Sequence, residues 1–287
     1  MSAISSELAA NERGLVALLR NSLSRDEFFA GLFILGCVNG LFGRSIYTLS
    51  LQGLPGFVTG LEMNLIVLFA CFVGISLVLS EQKQKLQLAD VLVGFLFLIL
   101  VSLPIFPVSW VAITGLSLYI LLFTNAAPDR KRGALVLLTL TMPMLWSRLV
   151  FQYFANFLLD WDARFVSSLM GTNRFGNTVG FADGSGTMII TPACNSFSNI
   201  SMALLCWVTI TQWAKHRWSP TDLVWCFMAC VSVVAINVVR IAITGQSRAN
   251  YELIHNEWGE MVLGTIMTIF IIGFSVLGAR RELFARV

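Results

Sequence analysis

Cys194, Arg240 and His255 bring a thiol, a permanent positive charge and a group that titrates near neutrality into the last third of the chain. A thiolate can attack a carbonyl carbon. A guanidinium can hold the oxyanion that forms, and an imidazole can take the thiol proton and return it to a leaving group. Each residue stands at the end of an apolar run, and topology places the three ends on one side of a membrane. That arrangement predicts an intramembrane thiol enzyme.

The local contexts sharpen the reading. Cys194 follows Thr191-Pro192-Ala193 and opens an apolar run. Proline suits a first helical turn, and Thr191 is the expected N-cap. A thiol at that position should face unpaired backbone N–H groups and the positive end of the helix dipole, which favour the thiolate. Asn195 and Ser196 come next, with Ser198 and Asn199 just beyond, so the first turns are polar and are expected to support the site. Arg240 stands three residues after Asn237, which puts both on one helix face. Charge within an apolar helix is costly and marks a functional partner by default, although a near-terminal arginine can also snorkel to headgroups. His255 lies in Ile254-His255-Asn256-Glu257-Trp258-Gly259, before the last apolar run. The other histidine, His216, is flanked by Lys215 and Arg217 and reads as ordinary cytoplasmic charge. Arg148, with Arg44 and Glu62, is expected to line a substrate groove or to pair with acids such as Asp160.

Composition bounds what can position these groups. Apolar types make up 56% of the 287 residues and charged ones 12%, against about 25% charged in ordinary soluble domains. A water-soluble fold of this size could not hide so much hydrocarbon, so the class is polytopic membrane protein. The net charge of +3 gives no ground for a nucleic-acid partner. Cys37, Cys71, Cys206, Cys226 and Cys230 lie inside apolar runs, where free thiols act as small hydrophobes. Cys226 and Cys230 would share a helix face, and packing is the expected role. No His/Cys/carboxylate cluster has ligand spacing and no Gly-rich phosphate loop occurs, so neither metal nor organic cofactor is expected.

Runs of about 20 apolar residues suit helices that cross the hydrocarbon layer. Eight are predicted, at 28–49, 61–80, 89–103, 106–123, 134–158, 195–213, 222–244 and 260–278. Together they form an all-α membrane domain over 28–278, between a polar tail (1–27) without a signal peptide and a basic tail (279–287). With the N-terminus in the cytoplasm, thirteen Lys and Arg residues fall inside and three (Arg164, Arg174 and Arg248) outside. This bias puts both termini in the cytoplasm and the thiol outside. The extracytoplasmic stretch 159–193 precedes the cysteine. Trp161, Phe165, Val166 and Leu169 recur at helical spacing and predict a short amphipathic helix on the membrane surface, stopped by Gly171. Beyond it, Thr178 to Phe181 and Met188 to Thr191 read as a β-hairpin around Asp183-Gly184. The loop serves either as a structural cap or as a lid leading into Cys194.

At Cys194, Asn237 with Arg240, and His255, the chain resembles the exosortase/archaeosortase family of membrane cysteine transpeptidases. The family pattern is a Cys at the outer start of one helix, an Arg in an Asn-x-x-Arg-like segment and a His before the last helix. Asn195-Ser196 stands where the family commonly has Ser-Gly or Thr-Gly. The resemblance implies catalysis by Cys194, Arg240 and His255 and a thioacyl intermediate resolved by an amine, a lipid or water. It implies a membrane-anchored substrate protein with a C-terminal sorting signal: a recognition motif, one helix and a basic tail. It also implies a bacterial inner membrane, often beside exopolysaccharide production.

Two other readings fit the same residues. A transporter or flippase of an anionic solute or lipid would use Arg44, Arg148 and Arg240 and be indifferent to Cys194. A structural subunit would tolerate changes at all three site positions. A disulfide-generating oxidoreductase needs paired outside cysteines, and only Cys194 qualifies.

Overall fold

A computed structural model of the chain describes residues 24–60, 64–79, 84–103, 105, 107–216, 219–254 and 257–280. It is about 81% helical. Among the described residues, four helical stretches are long and apolar enough to cross a membrane: Arg25–Gly43, Pro128–Met170, Pro220–Thr244 and Met261–Gly278. Leu65–Val78, Leu88–Ser102 and Val108–Phe123 are shorter apolar helices. The chain folds as two compact units, Met1–Thr141 and Met142–Val287.

In the first unit, α1 (Arg25–Gly60), α2 (Leu65–Val78), α3 (Leu88–Ser102), α4 (Val108–Phe123) and α5 (Pro128–Thr141) pack on one another. Where α2 meets α5, glycine makes the contact possible: a Cβ on Gly133 would lie 2.6 Å from the Gly74 carbonyl oxygen. Small residues of this kind let helix backbones approach closely inside a bilayer. Buried charge fastens one end of the unit. Arg25 donates to Asp90 at 2.7 Å, Tyr119 donates to the same oxygen at 2.9 Å, and Arg130 pairs with Asp26. Arg130 also donates to Gln84 at 3.1 Å. The starts of α1, α3 and α5 and the end of α4 are thereby tied together. The two arginines and two aspartates balance, as buried charges must.

The second unit begins with a π-helical turn, Met142–Trp146, followed by α6 (Ser147–Met170). Phe154 has non-helical angles (φ −116°, ψ 17°) and kinks α6. Gly171 ends it in the left-handed conformation at φ 66°, as the sequence predicts. The expected surface helix is therefore the continuation of the preceding helix beyond a kink. Of the four residues read as its membrane-facing side, Val166 alone is turned inward. Leu159, Asp162, Ala163, Val166 and Ser167 are buried, whereas Trp161, Phe165 and Leu169 are exposed. The polar Asp162 and Ser167 point inward and the aromatic residues outward, an inversion that water would oppose and a lipid interface would favour.

Strands β1 (Arg174–Phe175), β2 (Thr178–Gly180) and β3 (Thr187–Ile189) form an antiparallel sheet in that order. The predicted hairpin is present, with β1 as an additional strand. Val179, Phe181, Met188 and Ile190 pack with Leu159, Ala163 and Val166 of α6. The hairpin tip is fixed by backbone bonds from Ala182 to Gly245 and from Asp183 to Gln246, at 3.0 and 3.2 Å. A 3-10 turn, Pro192–Cys194, then leads into α7 (Ser196–Trp213). Next come α8 (Pro220–Thr244), α9 (Arg248–Ile254) and α10 (Glu257–Gly278). His216, expected as a plain surface charge, instead lies 2.9 Å from both carboxylate oxygens of Asp222. Asp222 also caps the start of α8 through Ser219.

Candidate active site

Four elements of the second unit surround Cys194. Its cavity, about 320 Å³ in volume, is lined by Met188 to Thr191, by Cys194, by Arg240, Ile241 and Thr244 of α8, by Tyr251 and Ile254 of α9, and by Leu263 of α10. This is the lower end of the size expected for a small-ligand site. Its polar groups are one thiol, one guanidinium and the hydroxyls of Thr191, Thr244 and Tyr251.

The cysteine is held from three directions. Asn237, fully buried on α8, donates to the Cys194 carbonyl at 2.7 Å and to the Ser196 hydroxyl at 2.9 Å. Asp162 of α6 accepts the Ser196 N–H at 3.0 Å. Asn195 is the N-cap of α7, and its side chain accepts the Phe197 N–H at 2.9 Å. A carboxylate at a helix N-terminus also meets the positive end of the dipole. The Thr191 hydroxyl lies 3.7 Å from the thiol sulfur and donates to it.

This geometry corrects two expectations. Thr191 does not cap the helix; it precedes the 3-10 turn and makes no side-chain capping bond, and α7 begins two residues after Cys194. The thiol does not face unpaired N–H groups either. The N–H of Cys194 goes to the Thr191 carbonyl at 2.9 Å and that of Asn195 to the Pro192 carbonyl at 3.3 Å. The next two N–H groups go to Asp162 and Asn195. The backbone donors from Cys194 to Phe197 are therefore already engaged.

Along α8, Asn237, Arg240, Ile241 and Thr244 stand at i, i+3, i+4 and i+7 and share one face. Asn237 fixes the cysteine turn, and the next three line the cavity. Arg240 is half-buried, and among the described residues no carboxylate pairs with it. Cys194 is 9% exposed and lines this opening.

Cys194, Asn195, Ser196, Asn237 and Arg240 are thus brought together. His255 lies outside the described residues, although its neighbour Ile254 lines the cavity. Arg148 lies at the start of α6 with an exposed side chain and is not among the lining residues. The side chain of Arg44, and Glu62, also lie outside the described residues. Asp160 pairs with Arg164 at 2.9 Å and Arg174 at 2.5 Å. Asp162 and Tyr251 are additions that sequence reasoning missed. Asp162 did carry a signal, since it interrupts the apolar stripe Leu159, Ala163, Val166. Tyr251 carried none.

Among the described residues no group of three metal-ligating side chains converges. Set against known protein families, curated proteins and solved structures, the chain matches none.

Proposed function

We propose that this protein is a membrane-embedded cysteine protease or transpeptidase of the exosortase type. In this reading eight helices cross a bacterial inner membrane with both termini in the cytoplasm, and the site opens at the outer rim. The observation that carries it is the shared cavity: Cys194 and Arg240 line one small opening, and Asn237 fixes the cysteine turn from the face that presents Arg240.

The chemistry follows from the groups. His255 takes the Cys194 proton, and the thiolate attacks the carbonyl carbon of a peptide bond in a membrane-anchored protein. The carbonyl π electrons move to oxygen, and Arg240 binds the oxyanion. Because the N–H groups of Cys194 and Asn195 are engaged in the turn, that task falls to a side chain. The C–N bond then breaks, and the imidazolium gives its proton to the leaving amine. A thioester remains on Cys194. An amine or water attacks it, releasing the product and restoring the thiol.

The test is a comparison of membrane-protein C-termini in cells of the source organism carrying the parent chain or Cys194→Ala. The expected result is one or more proteins that keep a C-terminal apolar helix only in the variant. Identical C-termini in both strains would refute the proposal.

A further inference from the structure

The free edge of the small sheet leads to the thiol. The sheet order ends at β3, so one side of that strand has no neighbouring strand among the described residues. Antiparallel ladders alternate between residue pairs that exchange hydrogen bonds and pairs that do not. Beyond the two ends of the β2–β3 ladder, Ile190 donates to the Asn177 carbonyl at 2.9 Å and Phe181 to the Gly186 carbonyl at 3.0 Å. With the register Val179 opposite Met188, these bonds make that pair the bonded one. Thr178 opposite Ile189, and Gly180 opposite Thr187, are then the non-bonded pairs. The backbone N–H and C=O groups of Thr187 and Ile189 consequently point away from β2. Both residues are exposed, Ile189 at 61%.

Thr191 is the next position in this alternation. Its carbonyl is taken by the Cys194 N–H, and its hydroxyl donates to the Cys194 sulfur. Ile189, Ile190 and Thr191 all line the cavity with Cys194. Among the described residues, the main-chain groups of Thr187 and Ile189 thus have no backbone partner, and this edge runs on to Thr191, which touches the nucleophile. Open edges of this kind are templates for an added strand.

We propose that β3 is the substrate-binding strand: an extended peptide adds to its free edge as a fourth strand, pairing with Thr187 and Ile189, and so lays its scissile carbonyl beside Cys194. This deepens the thiol-enzyme reading and rests on it. Main-chain pairing supplies register and direction. Selectivity comes from the apolar end of the cavity, where Ile189, Ile254 and Leu263 suit an apolar side chain next to the cleaved bond.

The experiment tethers a strand to the thiol, which removes any dependence on an unknown recognition sequence. The full-length protein in lipid nanodiscs is treated with the peptide acetyl-Thr-Val-Thr-Val coupled to a cysteamine methanethiosulfonate. The Cys194 thiolate attacks the reagent's sulfenyl sulfur, a disulfide forms and methanesulfinate leaves. Amide hydrogen exchange over residues 186–191 is then read, against a peptide of the same sequence with N-methylated amides. The expected result is exchange slowed about tenfold or more at Thr187 and Ile189 by the first peptide and unchanged by the second. Equal protection by both peptides, or by neither, overturns strand addition while leaving the nucleophile intact. Failure of Cys194 to react even with methyl methanethiosulfonate overturns the nucleophile, and the strand proposal with it.

Discussion

Asn237 donates its side-chain amide to the backbone carbonyl of Cys194 at 2.7 Å, across 43 positions of sequence. The bond joins α8 to the 3-10 turn, and a second bond from the same amide to Ser196 anchors the start of α7. Asn237→Leu removes both and leaves a buried carbonyl unpaired, which costs about 1–3 kcal/mol. The expected outcome is a lower unfolding temperature in detergent together with a changed rate of Cys194 alkylation by iodoacetamide. Asn237→Gln, which keeps the donor, should recover part of the loss. A Leu variant with parental stability and reactivity would show that the bond positions nothing.

Asp162 acts on the same turn from α6. Its carboxylate accepts the Ser196 N–H at 3.0 Å and is buried. Asp162→Ala removes a cap, a loss of about 0.5–2 kcal/mol. Asp162→Asn keeps an acceptor and should fall between the parent and Ala in thermal unfolding. If Ala and the parent unfold together, the capping role is wrong.

How far these contacts can be read from sequence depends on their range. The apolar helices, the Gly171 stop and the hairpin around Asp183-Gly184 are local: a run of hydrocarbon, a left-handed position and a turn dipeptide each act on neighbouring residues. The convergence of Cys194, Asn237 and Arg240 was also accessible, because helix ends on one side of a membrane meet. The burial of Val166 was not. It was read with Trp161, Phe165 and Leu169 as the membrane-facing side of α6, but it packs with Val179 and Met188 of strands that fold back from later in the chain. The engagement of the N–H groups near Cys194 depends on Asp162, 34 positions away, and no local pattern reports that. Arg25 and Asp90 are 65 apart and gave no signal beyond their charge.

The charge clamp of the first unit yields its own test. Arg130 is fully buried and paired with Asp26. Arg130→Met strands the Asp26 carboxylate without its partner, and breaking a buried pair in this way costs about 3–5 kcal/mol. Arg130→Met combined with Asp26→Leu removes both charges and should be the more stable of the two variants. Thermal unfolding of parent, both single variants and the double variant measures the coupling. A double variant less stable than either single one would mean that the pair contributes net stability beyond mutual neutralisation.

Arg240 offers the sharpest distinction between catalysis and anion binding. A guanidinium presents a planar fork of donors, whereas lysine is a single mobile ammonium, so charge is kept but geometry is lost in Arg240→Lys. If Arg240 holds an oxyanion that exists only in the transition state, Arg240→Gln lowers the processing rate by about 10²–10³ with little change in substrate binding. Arg240→Lys should then lie between Gln and the parent. An anion-binding role predicts instead a rise in the half-saturating substrate concentration at constant maximal rate. Steady-state processing of a substrate identified from the Cys194→Ala comparison separates the two, because the first outcome moves kcat and the second moves KM. An unchanged kcat in Arg240→Gln would remove Arg240 from the chemical step and leave Cys194 without its oxyanion partner.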